Sequence, residues 1–173
     1  RDYKVTGVQT CALPISVQRC AVIGAGLAGA SVAAALARRG WQVSVLDQAA
    51  EPAAGASGLP VGLVVPHVSS DDCTLSRLSR AGVRLMLQHA HALLQIHKDW
   101  APSGVLEQQI GGIPKLPSAW PLEGKQWSES FQQVNAANTL GPGIWHHQGA
   151  WLKPAALVSA WLRQPGVTFQ GHA

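Results

Sequence analysis

The stretch from Gly24 to Gly29, which reads Gly-x-Gly-x-x-Gly, constrains this chain of 173 residues more than any other feature. The apolar residues 20–23 precede it and predict a buried strand. The alanine-rich residues 27–39 follow it and predict a helix, and residues 42–46 predict a second strand that ends at Asp47. A strand, a glycine turn, a helix and a second strand together predict a β-α-β unit, and therefore an α/β fold.

The three glycines and Asp47 have separate tasks in a nucleotide-binding turn. Gly24 permits the tight turn, Gly26 lets backbone N–H groups approach a pyrophosphate, and Gly29 lets the helix and strand pack closely. The helix N-terminus offers unpaired N–H groups and a partial positive charge to the phosphates. Asp47 can accept hydrogen bonds from a ribose diol, and its charge repels a 2′-phosphate. The pattern therefore predicts FAD or NAD rather than NADP.

Residues 1–16 differ in character from the rest of the chain. They resemble the conceptual translation of a sequencing adapter, most closely from Val5 to Ile15, and they lack the continuous apolar core of a signal peptide. We expect this leader to be non-native and without function, and the chain to be a truncated piece of a longer protein.

Composition limits the class of protein. A chain of this length can bury one hydrophobic core, and 47% of its residues are hydrophobic while only 13% are charged. Arg38 and Arg39 interrupt the best candidate for a membrane span, so no membrane association is expected. The three cysteines show no Cys-x-x-Cys spacing, which favours a reducing, cytoplasmic setting. The net charge of +4 is mild, and no cluster of basic residues in the sequence marks a nucleic-acid surface.

Further elements follow from local patterns. Leucines at helical spacing predict a helix over residues 73–98, capped by Asp71 or Asp72. Strands are predicted at 105–110, 131–134 and 144–147, and a helix from Pro154 to 162 is followed by a strand at 167–170. The seven histidines lack carboxylate or cysteine partners at ligand spacing, so no metal site is predicted.

Two further motifs indicate a family. Residues 55–62 read Gly-Ala-Ser-Gly-x-x-x-Gly, and residues 149–154 read Gly-Ala-Trp-Leu-Lys-Pro. With the glycine turn, they resemble the glycine-oxidase and D-amino-acid-oxidase-like flavoproteins over residues 17–173. Within that superfamily the chain is most similar to the FAD-dependent half of the bacterial bifunctional enzymes that make 5-methylaminomethyl-2-thiouridine in tRNA. Leu59 stands where that group usually has asparagine, which puts a polar contact at this position in doubt.

The resemblance implies a cofactor site and a domain order. It implies that FAD contacts a set of twelve residues, namely Gly24, Ala25, Gly26, Leu27, Ala28, Gly29, Asp47, Gln48, Ala56, Ser57, Gly58 and Gly62. It implies a Rossmann-like FAD-binding part over 17–97 and the start of an interleaved α+β substrate domain over 98–150. Residues 151–173 would then return to the FAD domain, which is incomplete.

The resemblance also implies a reaction. The flavin would oxidise the C–N bond of a carboxymethylaminomethyl group on a wobble uridine of tRNA, leaving the aminomethyl form and glyoxylate. A methyltransferase domain would be a fused or separate partner, and no catalytic residue can be named in this chain. Two alternatives remain open, which are a stand-alone glycine or D-amino-acid oxidase of the same fold and an inactive fragment. The turn and Asp47 alone supply too little binding free energy, so we expect the isolated chain to bind FAD weakly or not at all.

Overall fold

The computed structural model describes residues 16–108, 116–117, 120, 126–131 and 143–173. Its elements in chain order are β1 (Arg19–Ile23), α1 (Leu27–Ala37), β2 (Gln42–Leu46), a 3₁₀ turn (Ala56–Gly58), β3 (Gly62–Val64), α2 (Thr74–Leu93), β4 (Trp100–Ala101), β5 (Val105–Gln108), β6 (Ser128–Phe131), β7 (Gly143–His146), β8 (Ala150–Leu152), α3 (Pro154–Leu162) and β9 (Val167–Gln170). The described strands form three sheets, ordered β1-β2-β9, β3-β8-β4 and β5-β7-β6.

The first sheet contains the predicted β-α-β unit. β1 pairs with β2 in parallel, from Arg19 opposite Gln42 to Ile23 opposite Leu46, and α1 connects the two strands. β9 pairs with the other edge of β2, also in parallel. β2, β9 and α3 have the predicted bounds, whereas α1 ends two residues earlier than predicted. The chain leaves α1 through Gly40, whose φ of 85° lies in the left-handed region that favours glycine.

Alanines allow α1 to pack closely between the sheet and α3. Ala33 is buried in one cluster with Val43 and Val45 of β2. Ala30 and Ala34 are buried in a second cluster that includes Leu157, Val158 and Trp161 of α3. Because β2 alternates these buried valines with exposed Gln42 and Ser44, only one face of the sheet is covered by the described residues.

The other two sheets are antiparallel. β8 pairs with both β3 and β4, and β7 pairs with both β5 and β6. Local patterns did not predict β3, β4 or β8, since each has only two or three residues. The strand predicted at 131–134 is found at Ser128–Phe131, and residues 132–134 lie outside the described part. The strand predicted at 144–147 is found one residue earlier, and the one predicted at 105–110 is described as far as Gln108.

The predictions for α2 were wrong for its capping residue and for its C-terminal end, whereas its start lies within one residue of the prediction. Cys73 is the N-cap and no side chain caps the helix there, although the Asp71 carboxylate accepts the Cys73 N–H at 3.3 Å. The helix ends at Leu93 and not at residue 98, because Leu94 is extended. The N–H of Gln95 then donates to Asp99 Oδ2 at 3.2 Å, so a turn replaces the last predicted helical turn.

Within the described ranges, no helix has the length and apolar character needed to cross a membrane. The division of the chain at residues 97 and 150 stays a prediction.

Candidate functional site at the glycine turn

The glycine turn lies at the carboxyl ends of β1 and β2. Gly24 has a φ of 97°, a conformation that L side chains rarely adopt, and its N–H donates to Leu46 O at 2.7 Å. Gly29 lies against this turn so closely that an added Cβ would collide with the Gly24 carbonyl oxygen. The glycines at these two positions are therefore required by the backbone conformation and by the packing of α1 on β1.

The N-terminus of α1 is capped by a side chain from a distant loop. The N–H of Leu27, which has no partner within the helix, donates to Ser57 Oγ at 3.0 Å. A Cβ added at Gly26 would lie 3.1 Å from the same oxygen. Sequence reasoning assigned both residues to the cofactor, and the structure brings them together.

The loop that carries Ser57 is itself fixed to the glycine turn. Ala53 is buried, has a φ of 60°, and donates its N–H to Ala25 O at 3.0 Å. A Cβ on Gly58 would lie 2.5 Å from Ala53 O, so the glycine permits the close 3₁₀ turn. Ala56 and Gly58 are exposed on this turn, as is Ala28 on α1.

The Asp47 carboxylate faces the glycine turn from the end of β2. Its Oδ2 accepts the N–H of Ala25 at 2.6 Å, and its Oδ1 accepts the N–H of Ala49 at 2.9 Å. These two backbone hydrogen bonds hold the pKa of Asp47 below its ordinary value, and the bond from Ala25 has the larger effect. The carboxylate is therefore ionised at neutral pH and keeps lone pairs for a further donor.

An open cleft borders this carboxylate. It has a volume of about 420 Å³ and is lined by Ile23, Gly24, Leu46, Asp47, Gln48 and Ala173. In parallel α/β sheets, ligands bind outside the carboxyl ends of the strands, which is where this cleft lies. Gln48 is exposed at its rim.

The last assigned residue, Gly62, lies apart from the turn and joins the two family-like motifs. It begins β3, pairs with Leu152 of β8, and a Cβ there would lie 3.2 Å from Pro154 Cγ. Trp151 lies opposite Leu63 in the same pair of strands. The motif at residues 55–62 and the motif at residues 149–154 are thus neighbours in space. Leu59 lies in the first of them and is exposed.

Sequence reasoning missed a polar cluster between β3 and α2. Ser76 is fully buried and its hydroxyl lies 2.8 Å from Ser69 Oγ and 3.1 Å from His67 Nδ1. Ser69 Oγ also donates to Cys73 Sγ at 3.3 Å, and this bond is the largest contribution to a lowered thiol pKa. Serine spacing alone carries no signal for such a cluster.

A second missed group joins three strands. His146 is fully buried, with Nδ1 at 2.9 Å from Ser128 Oγ and Nε2 at 3.1 Å from Glu107 Oε2. Burial lowers the pKa of His146, and Glu107 opposes that shift. Because Ser128 is also fully buried, it cannot reach a substrate, so the group stabilises the sheet. Across the described ranges, no three of the His, Cys, Asp and Glu side chains are placed to hold a metal ion.

Residues 19–172 match the family model described as FAD dependent oxidoreductase. The chain belongs to that family. FAD is the cofactor of the family, and the assignment of a flavin-dependent oxidoreductase made from the motifs is confirmed.

Two relatives show where the chain fits in the family. The tRNA 5-methylaminomethyl-2-thiouridine biosynthesis bifunctional protein MnmC of Albidiferax ferrireducens is 60% identical over 159 residues, which are 92% of this chain and 22% of that protein. The protein of the same name from a Polaromonas species, strain JS666, is 54% identical over 165 residues, 89% of this chain and 25% of that protein. The chain thus spans about a quarter of the length of these relatives.

Solved structures support the same fold. Glycine oxidase from Bacillus cereus superposes with a TM-score of 0.65 at 18% identity, covering 91% of this chain and 46% of that one. L-amino acid deaminase from Proteus myxofaciens gives 0.64 at 17% identity, covering 93% and 39%. At these identities the similarity shows the fold alone.

The residues at the glycine turn fit FAD. The Leu27 N–H donates to Ser57 Oγ, which shows that an oxygen acceptor fits against the N-terminus of α1. Gly26 leaves open the space that a Cβ would fill beside Ser57 Oγ. The ionised carboxylate of Asp47 borders the cleft from the end of β2, the strand next to β1.

Proposed function

We propose that this chain is the nucleotide-binding segment of an enzyme that removes the carboxymethyl group from 5-carboxymethylaminomethyluridine, or its 2-thio form, at the wobble position of tRNA. The observation that supports the proposal is the 60% identity over 92% of the chain to a protein named for the biosynthesis of 5-methylaminomethyl-2-thiouridine in tRNA. The geometry of the glycine turn supports the cofactor part, because the N-terminus of α1 and the ionised Asp47 carboxylate lie together at the carboxyl end of a parallel sheet.

Different residues would contact different parts of FAD. Residues 24–29 hold the pyrophosphate through backbone N–H groups, and Asp47 accepts hydrogen bonds from the adenosine ribose, with Gln48 beside it. Ser57, carried with Ala56 and Gly58 on a turn tied to Ala25, approaches the phosphates and the flavin side, and Gly62 allows close approach at β3.

When bound, FAD would supply the two-electron oxidation of the C–N bond, and hydrolysis by water would then yield glyoxylate and the aminomethyl group. The residues of this chain would position the cofactor. None of them is assigned a role as general acid or general base. Asp47 stays ionised through its two backbone hydrogen bonds and so remains an acceptor at neutral pH.

The partners follow from the proposed reaction. tRNA is the substrate, and a methyltransferase region in the same or a separate protein would act on the aminomethyl product. Such an enzyme works in the cytoplasm, and the free thiols of Cys20 and Cys73 are in keeping with a reducing compartment.

The test uses the full-length protein and tRNA from cells that lack its gene. Mass spectrometry of the wobble nucleoside should show the carboxymethylaminomethyl form converted to the aminomethyl form, with one glyoxylate released per conversion. Peroxide release from glycine or D-amino acids, with the tRNA unchanged, would instead identify the stand-alone amine oxidase. If the full-length protein acts on neither substrate class, both enzyme proposals are wrong.

A further inference from the structure

Four arginines from three separate segments of the chain lie near the amino end of the parallel sheet. Arg19 begins β1, Arg38 and Arg39 lie between α1 and β2, and Arg163 follows α3 just before β9. All four side chains are exposed. We call these four residues the amino-end arginines.

Backbone pairing holds them close together. Arg19 lies opposite Gln42 in the β1–β2 pair, and the N–H of Val43 donates to Gly166 O at 2.7 Å, which joins β2 to the turn before β9. Arg38 Nη1 donates to Gln164 Oε1 at 3.4 Å and so links the end of α1 to the same turn. Since neighbouring strands lie about 4.8 Å apart, the backbone segments at which β1, β2 and β9 begin lie within about 10 Å of one another.

The charge of these residues is not neutralised by the described carboxylates. The ion pairs found among the described residues join Arg80 to Asp72, His146 to Glu107 and His147 to Glu129. The positive charge also affects a neighbouring group. Burial lowers the pKa of His89, and the charge of Arg38 lowers it further.

Stabilisation of helix ends explains only part of the set. Arg38 and Arg163 are the C-caps of α1 and α3, where a cation interacts favourably with the helix dipole. Arg19 stands at the start of a strand, far in sequence from either helix end, and this explanation does not apply to it. The common property of the set is an exposed guanidinium group near the amino end of the sheet, and guanidinium groups match the geometry of phosphate oxygens.

We propose that the amino-end arginines bind phosphate groups of the tRNA backbone, which is a surface contact separate from the oxidation site. The inference rests on the proposed function, because it takes tRNA as the substrate. β1 has five residues, so the surface lies about 16 Å from the glycine turn, a distance that an RNA helix spans easily. Such contacts orient the RNA and carry no base specificity.

The test compares two double variants of the full-length FAD-loaded protein. One is Arg38→Gln with Arg39→Gln. The matched control is Arg77→Gln with Lys98→Gln, which removes the same charge from exposed side chains elsewhere. Binding of total cellular tRNA is measured by fluorescence anisotropy between 50 and 200 mM salt, values at which phosphate contacts are strongly screened.

Loss of two phosphate contacts should reduce the slope of log affinity against log salt by about 1.5, with no such change in the control. Over the fourfold salt range, the wild type should therefore lose about eightfold more affinity than the Arg38, Arg39 variant. The variant Arg38→Lys with Arg39→Lys should keep the wild-type slope, because it keeps the charge. At saturating tRNA, the oxidation rate of the glutamine variant should equal that of the wild type.

The outcomes separate this inference from the proposed function. If the wild type modifies tRNA but both glutamine variants bind it alike, the inference is wrong and the proposed function stands. That result would indicate that the amino-end arginines contact another protein surface rather than tRNA. If the wild type neither binds nor modifies tRNA, both are wrong.

Discussion

Replacing Ser57 with alanine removes the acceptor of the first N–H of α1. The Ser57 hydroxyl accepts the Leu27 N–H at 3.0 Å from a position 30 residues away in the chain. Loss of a helix cap costs about 1 kcal/mol, with a range of roughly 0.5 to 2 kcal/mol. In ligand-free full-length protein, Ser57→Ala should therefore open the first turn of α1 about fivefold more often.

Hydrogen exchange followed by mass spectrometry measures this opening in peptides that cover residues 24–37. The matched control is Ser31→Ala, because Ser31 lies on the same helix but donates to Ala28 O and caps nothing. If Ser57→Ala exchanges no faster than Ser31→Ala, the hydroxyl does not cap α1.

The same exchange experiment can be repeated with FAD bound. A phosphate oxygen at the end of α1 would accept the Leu27 N–H in place of the hydroxyl. Saturating FAD should therefore remove most of the difference between the Ser57→Ala variant and the wild type. A fivefold difference that persists with FAD bound would refute the placement of the pyrophosphate at this helix end.

Three other measurements test the site and its surroundings. Gly29→Ala should abolish the bound-flavin absorbance of the full-length protein, since the new Cβ meets backbone, whereas Gly82→Ala, where space is open, should stabilise α2 by roughly 0.5–1 kcal/mol and keep the flavin. Asp47→Asn should weaken FAD binding measured by fluorescence titration, because it removes the charged ribose acceptor; unchanged affinity would exclude Asp47 from the site. The buried His146 ring, followed by NMR, should titrate with a pKa below its ordinary value near 6.5. Because the unfolded chain then binds the extra proton, the contribution of His146 to the free energy of unfolding should be constant above about pH 6.5 and fall below it by at most about 1.4 kcal/mol per pH unit. A contribution that falls as the pH is raised would contradict this sign.

Local patterns determined the β-α-β unit and its glycine turn. The spacing of Gly24 and Gly29, the alanines of α1 and the alternating valines of β2 are properties of contiguous residues, so the sequence predicts them directly. Pro154 likewise marks the start of α3, because its fixed φ suits the first helical turn.

Tertiary structure decided the features whose partners are distant in the chain. β3 pairs with β8 across almost ninety residues, and strands of three residues show no period of their own. The cap from Ser57 to Leu27, and the placement of β1 and β9 on either side of β2, depend on which segments pack together rather than on local spacing. Local propensity acts within one or two turns, whereas these contacts exist only after the sheet has brought separate segments side by side.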